Sequence, residues 1–154
     1  MANLENSETV RNAAVRLLAR REHSRRELAQ KLAQRGHPRD LIEDVIDGLA
    51  DAGMQSDERF VETFVRSAVA RGQGPLKLRA RLRECGIEDA LASAAIDRDF
   101  DDWRGLASSA VAKRFGPAPP VDRADWAKRA RFLASRGFSS DIAARAIGDF
   151  EGLS

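Results

Sequence analysis

The sequence predicts an all-α protein, built as three tandem three-helix units in an elongated, curved array. Three observations lead there. Alanine, arginine and leucine dominate the 154 residues, tyrosine is absent, and Val, Ile and Thr are too sparse for a sheet. Gly36, Gly86 and Gly137 recur 50 and 51 residues apart. Around each glycine the same apolar columns repeat: Leu32, Leu82 and Leu133 before it, then Leu41, Leu91 and Ile142, Val45, Ala95 and Ala146, and Ile46, Ile96 and Ile147 after it. A column pattern held in register through three copies is the signature of a repeat array, with units at 1–54, 55–100 and 101–154.

The first unit opens with a helix from about Val10 to Arg21. Ser24-Arg25-Arg26-Glu27 then reads as a capping box, the serine hydroxyl meeting the Glu27 amide and the Glu27 carboxylate reaching back. Leu28 and Leu32 follow at helical spacing, and Gly36 supplies a left-handed stop. Pro38 suits the first turn of a third helix that buries Leu41, Ile42, Val45, Ile46 and Leu49 and ends at Gly53.

The second unit starts near Ser56, a plausible N-cap, and its stripe is Phe60, Phe64, Val65 and Ala68. Gly72-Gln73-Gly74-Pro75 breaks the chain, with Pro75 in the first turn of the next helix, where Leu78, Leu82 and Cys85 line one face. The third unit has a longer loop, Gly116-Pro117-Ala118-Pro119-Pro120, and a middle helix carrying Trp126, Ala130 and Leu133. His37, Ile87 and Phe138 follow the three glycines, where a helix C-cap takes an apolar contact. None of these helices is long enough to stand alone, so each unit must bury its stripe against its neighbours.

Several function classes drop out. No run approaches the roughly 18 apolar residues of a membrane span. The polar stretch Met1 to Thr9, with Glu5 and Glu8, lacks the basic start and apolar run of a secretory leader, so a cytoplasmic location is expected. Cys85 is the one cysteine and reads as a small half-buried apolar residue. His23 and His37 have no ligand-spaced partners, so no metal site is expected. Gly72-Gln73-Gly74-Pro75 lacks the GK[ST] ending of a phosphate loop, and Ser108 and Ser109 have no histidine near them in sequence. Trp103 and Trp126 lie in apolar stripes and read as core. No enzyme site and no cofactor follow from the residues.

Charge is distributed more tellingly than its net of +2 suggests. Residues 11–39 hold nine bases against Glu22 and Glu27, whereas 40–62 hold eight acids against Arg59. Residues 63–87 hold six bases against Glu84, and 88–102 six acids against Arg98. Residues 103–136 return to eight bases against Asp122 and Asp125, and the tail to three acids against Arg145. The first two helices of each unit are thus basic and the third acidic. Stacked in register, the units would present one positive edge, suited to phosphate or an acidic protein face, and one negative edge. The alternative is solvated helix faces making local ion pairs.

Three stretches resemble the RecX family: Leu17–Gly36, LLARREHSRRELAQKLAQRG; Phe64–Ile87, FVRSAVARGQGPLKLRARLRECGI; and Lys113–Ile142, where KRFG, a proline-rich loop and ARFLASRGFSSDI follow in order. With the repeat, the resemblance covers nearly the whole chain. Ala68 departs from it, standing where family members often carry a base. The resemblance implies three tandem three-helix units that bind in the groove of the RecA filament, touching neighbouring protomers and single-stranded DNA within or beside it. It implies inhibition of RecA ATP hydrolysis, strand exchange and coprotease activity, with no catalysis by this chain, and a monomer is expected.

The residues expected to form the binding edge are Arg25, Arg26, Lys31 and Arg35, then Lys77, Arg79, Arg81 and Arg83, then Lys128, Arg129, Arg131 and Arg136. Arg21, Arg71, Lys113 and Arg114 flank them. Two rivals compete. A helix-turn-helix reader is disfavoured because its recognition helix would carry Asp40, Glu43, Asp44, Asp47 and Asp51 into a phosphate-lined groove. A pure protein scaffold would lack salt-sensitive binding to single strands.

Overall fold

The computed structural model describes residues 6–150. Residues 1–5, part of the polar stretch read above, and 151–154, with Glu151 of the acidic tail, lie outside the described residues. Among the described residues there are nine helices and no strand: α1 Ser7–Arg20, α2 Arg25–Gln34, α3 Arg39–Asp51, α4 Asp57–Ala70, α5 Pro75–Glu84, α6 Asp89–Asp99, α7 Trp103–Phe115, α8 Arg123–Ser135 and α9 Ser140–Ile147. They form three tandem three-helix repeats, α1–α3, α4–α6 and α7–α9.

Local rules set most boundaries. Asn6 caps α1, its side chain accepting from the Glu8 amide at 2.7 Å, so this helix begins three residues before the expected Val10. Ser24 forms the complete capping box with Glu27. Ser56 caps α4 by accepting from the Arg59 amide at 3.1 Å. Pro75 opens α5 as expected, but Pro38 is itself the cap of α3, one residue earlier than read. After each column glycine the amide of His37, Ile87 or Phe138 donates to the carbonyl of Leu32, Leu82 or Leu133, at 3.1, 3.0 and 3.0 Å. This six-to-one closure satisfies orphan carbonyls and turns the following residue inward. All three of these residues are buried.

In the first repeat, Val10, Ala14 and Leu17 meet Leu28 and Leu32 of α2 and Ile42, Val45, Ile46 and Leu49 of α3. Leu41, expected in that core, is only half-buried, as are Leu91 and Ile142 in its column. In the third repeat Ala107, Val111, Leu133, Phe138 and Ala143 form the core, flanked by Trp103, Leu106 and Phe132. Trp126 is outside it: its indole N–H donates to the Gly148 carbonyl at 2.7 Å, and its ring tilts against Phe150 at 5.1 Å. Ala68 is fully buried, so this alanine offers no surface to a partner.

The chain divides into two compact units, and the division runs through the middle repeat. One unit holds the described residues up to Thr63 with Leu82–Ala92; the other holds Phe64–Arg81 with the described residues from Ser93. Each contains one junction of the same design. In the first, the Ser24 hydroxyl donates to the Cys85 carbonyl at 2.7 Å, and the Arg26 stem lies over Gly86. In the second, the Gly74 amide donates to the Arg136 carbonyl at 2.7 Å and the Leu76 amide to the Gly137 carbonyl at 2.9 Å. Gly137, at φ +96°, faces the backbone nitrogen and Cβ of Lys77, so a side chain there would be strained and would collide. The start of one middle helix thus docks on the glycine that ends the next.

Candidate functional site

Thirteen of the sixteen expected cations fall into three groups. Four are consumed by intramolecular pairs. Arg25 bridges from α2 to Glu43 (3.3 Å) and Asp47 of α3, and Arg83 grips Asp89 with two contacts at 3.2 Å. Arg21 binds Glu27 with two contacts at 3.2 Å. Burial pushes the Glu27 carboxyl up, but Arg21 and the Ser24 amide outweigh it and hold the group below its ordinary value.

Arg129 is the fourth and departs most from expectation. It is buried at 7% exposure, in the column that holds Leu28 and Leu78 in the other repeats. Its guanidinium pairs with Asp125 at 3.3 Å, donates to the Ala118 carbonyl at 2.9 Å and lies 5.4 Å from the Phe115 ring centroid. The Val121 amide, with Arg129, lowers the Asp125 pKa. Arg129 therefore fastens the proline-rich loop from inside and is no part of an exposed edge. The i,i+4 pairing with Asp125 was visible in the sequence; its burial was visible only through the column it shares with two leucines.

A second group is committed to packing. Arg26 and Lys77 lie over the junction glycines, and the Arg79 Nε is buried without a partner. Arg81, Lys128 and Arg131 are exposed with no ion pair to any described residue.

The third group gathers around two clefts. In the unit that holds the third repeat, Arg71, Lys113, Arg114 and Arg136 ring an open groove of about 310 Å³. Its floor is apolar: Val69, Leu106, Ala110 and Phe132. Arg136 stacks 5.2 Å from the Phe132 ring centroid and Arg114 6.0 Å. Phe115 meets the same ring edge-on at 5.6 Å, fixing it in place. None of the four cations pairs with a carboxylate among the described residues, and no carboxylate lines the groove. Three of the four were read from sequence as flanking residues, and the fold brings them to Arg136. Phe132, on which two of them rest, was not singled out; its signal was its place between Arg131 and Arg136 in a basic helix.

In the other unit, Arg20, Arg21, Lys31 and Arg35 line an open cleft of about 400 Å³ with Leu17, Gln34 and His23. His23 is 1% exposed. Its Nε2 accepts from the Lys31 ammonium at 3.0 Å and its Nδ1 faces the Arg21 carbonyl at 3.0 Å. An ammonium can only donate, so Nε2 carries the lone pair and Nδ1 the proton. Arg20, Lys31 and Arg35 have no carboxylate partner among the described residues; Arg20 was not expected here. No group of three His, Cys, Asp or Glu suited to a metal occurs among the described residues, and no described helix is long and apolar enough to cross a membrane.

Comparison with known proteins accounts for this architecture. Residues 11–49, 56–96 and 105–147 match the first, second and third three-helix domains of RecX in turn. The chain is 53% identical over 130 residues to the regulatory protein RecX of Chromohalobacter salexigens, covering 84% of this chain and 85% of that one. It is 47% identical over 135 residues to the regulatory protein RecX of Halorhodospira halophila, covering 88% and 84%. The crystal structure of RecX from Lactobacillus salivarius superposes with a TM-score of 0.78 at 25% identity, covering 92% of this chain and 94% of that one. Repeat columns, fold and relatives agree, and the chain belongs to the RecX family of regulatory proteins.

Proposed function

We propose that this chain regulates the RecA recombinase by binding its nucleoprotein filament through its unpaired cations, and that it thereby inhibits ATP hydrolysis, strand exchange and coprotease activity. The observation that carries the reading is the groove of Arg71, Lys113, Arg114 and Arg136, four cations without counter-charge around an apolar floor. Such a groove holds a standing attraction for phosphate or for an acidic protein face, and its floor gives that anionic partner something apolar to cover. The chain supplies binding and RecA supplies the chemistry. The exposed carboxylates Asp40, Asp44 and Asp51 on α3 argue against insertion of that helix into a duplex groove.

The test is a titration of the protein into RecA assembled on single-stranded DNA with ATP, following phosphate release. A fall in hydrolysis is expected. A fall at substoichiometric protein indicates action on filament growth or continuity, and a fall only near one protein per few protomers indicates coating of the groove. Unchanged hydrolysis with folded protein and intact filament would remove this function and leave a helical scaffold.

A further inference from the structure

The cleft of the first repeat differs from the groove in one chemical respect: its inner wall is a titratable ring. Arg20, Lys31 and Arg35 stand at the cleft without carboxylate partners, and only Arg21 is neutralised, by Glu27. Behind them His23 is buried and held at both ring nitrogens. The Lys31 ammonium is thus drawn inward, onto an imidazole lone pair, rather than out into the cleft.

That arrangement persists only while His23 is neutral. A proton on Nε2 turns the acceptor into a donor facing an ammonium 3.0 Å away. The two cations then repel, and the flexible lysine must leave, because the ring is fixed by the Arg21 carbonyl. Nε2–H and the ammonium would both point at the cleft, beside Arg20 and Arg35. A tetrahedral oxyanion accepts from several such donors at once, and arginine forks match its oxygens.

We propose that this cleft is a proton-linked binding site for a phosphoryl-type oxyanion, in which the anion takes Lys31 from His23 as the imidazole takes a proton from solvent. The site does not depend on RecA.

The electrostatic surroundings agree. Burial, then the charges of Arg21 and Lys31, hold the His23 pKa below its ordinary value, while the Arg21 carbonyl and the Glu27 carboxylate pull the other way. On the far side of the backbone, the Gln55 amide donates to the His23 carbonyl at 3.3 Å and to Asp57 at 3.0 Å, and Asp57 also accepts from the Arg25 amide. Glu22, next in sequence, is taken by Arg59. Glu27 is the one carboxylate that acts on the ring, and it is already bound to Arg21. A cleft anion would therefore supply the negative charge that protonated His23 lacks.

The experiment follows the His23 imidazole of the full chain by NMR from about pH 5.5 to about pH 8, bracketing the ordinary histidine value. It is run at constant ionic strength, in chloride and then with chloride replaced by sulfate, which keeps its charge through this range. Sulfate is expected to raise the His23 midpoint by about one unit. By reciprocity, sulfate then binds about tenfold more tightly at the acid end than at the alkaline end.

Lys31→Gln should abolish the rise. His23→Gln should keep sulfate binding but remove its pH dependence; it should fold, because Gln73 occupies the same column buried in the second repeat. A parallel titration with single-stranded oligothymidylate separates the sources of the ligand. A midpoint moved by both anions assigns the site to nucleic-acid phosphate, and one moved by sulfate alone assigns it to a free anion. A His23 midpoint that neither anion moves, or a rise that survives Lys31→Gln, would overturn the proposal.

Discussion

The first and third repeats share one scaffold and treat the same columns in opposite ways. Where α2 has Leu28, α8 has the buried, paired Arg129; where α2 has Lys31, α8 has Phe132, which props up Arg114 and Arg136. One cleft therefore has an imidazole in its wall and the other a phenyl ring in its floor. The column residues that fold a repeat, Leu32 and Leu133 or Gly36 and Gly137, are unchanged. A repeat can vary its solvent-facing columns freely while the glycine-centred closure keeps the helices in place. A buried column can change class only when its partner changes with it, as Asp125 does where Ser24 stands in the first repeat.

That last point gives the largest expected effect. Leu28→Arg would place a guanidinium in a fully buried site that has Ser24, not an aspartate, four residues earlier. An unpaired buried charge should cost about 3–5 kcal/mol, read from the urea unfolding midpoint. Arg129→Leu made together with Asp125→Ser gives this column and its partner the first repeat's residues and should be far milder, because the whole ion pair is exchanged for packing. Equal losses from the two variants would show that column and partner are not coupled.

Next comes the junction. Gly137→Ala forces a side chain at φ +96° against Lys77 and should cost about 1–3 kcal/mol. Gly53→Ala, with φ +75° but open space around it, carries the strain without the collision and should cost less. Ser24→Ala removes both the α2 cap and the hydroxyl bond to the Cys85 carbonyl and should cost about 1–2 kcal/mol by thermal unfolding. The second junction uses the backbone of Gly74 for the corresponding bond, so it has no side chain to lose.

The smallest effect is on pH dependence. The folded His23 pKa is lowered, so between that value and the ordinary one near 6.5 the unfolded chain binds more protons. Stability should be fully present above this window and fall as pH drops through it. His23→Gln should flatten that part of the profile in urea titrations at several pH values; an unaltered slope would mean His23 does not cause it.

The fold was largely legible because its rules are local. The Ser24 box, the glycine stops, and the inward turn of His37, Ile87 and Phe138 each depend on residues within one or two turns. Charge was misleading for the opposite reason. Clustered bases in α2 and acids in α3 read as opposed surfaces, yet Arg25 reaches Asp47, 22 residues on, and leaves the free edge. Whether an arginine is spent depends on which helix packs beside it. The groove was half legible: its cations were named, but their convergence on Phe132 needed α4, α7 and α8 to meet. Leu41 was misread because its column lies at the rim of each repeat, although its spacing is that of a core face.

On the proposed reading, the unpaired cations bind the filament and the paired ones do not. The direct measurement compares two double variants in RecA phosphate release on single-stranded DNA. Arg114→Ala with Arg136→Ala removes two groove cations, and Arg25→Ala with Arg83→Ala removes two that are already neutralised. The groove variant should need at least about tenfold more protein for half-inhibition, the equivalent of about 1.4 kcal/mol, and should show a shallower salt dependence. The paired variant should inhibit nearly as the parent does. Equal loss from both, or loss confined to the paired variant, would contradict it.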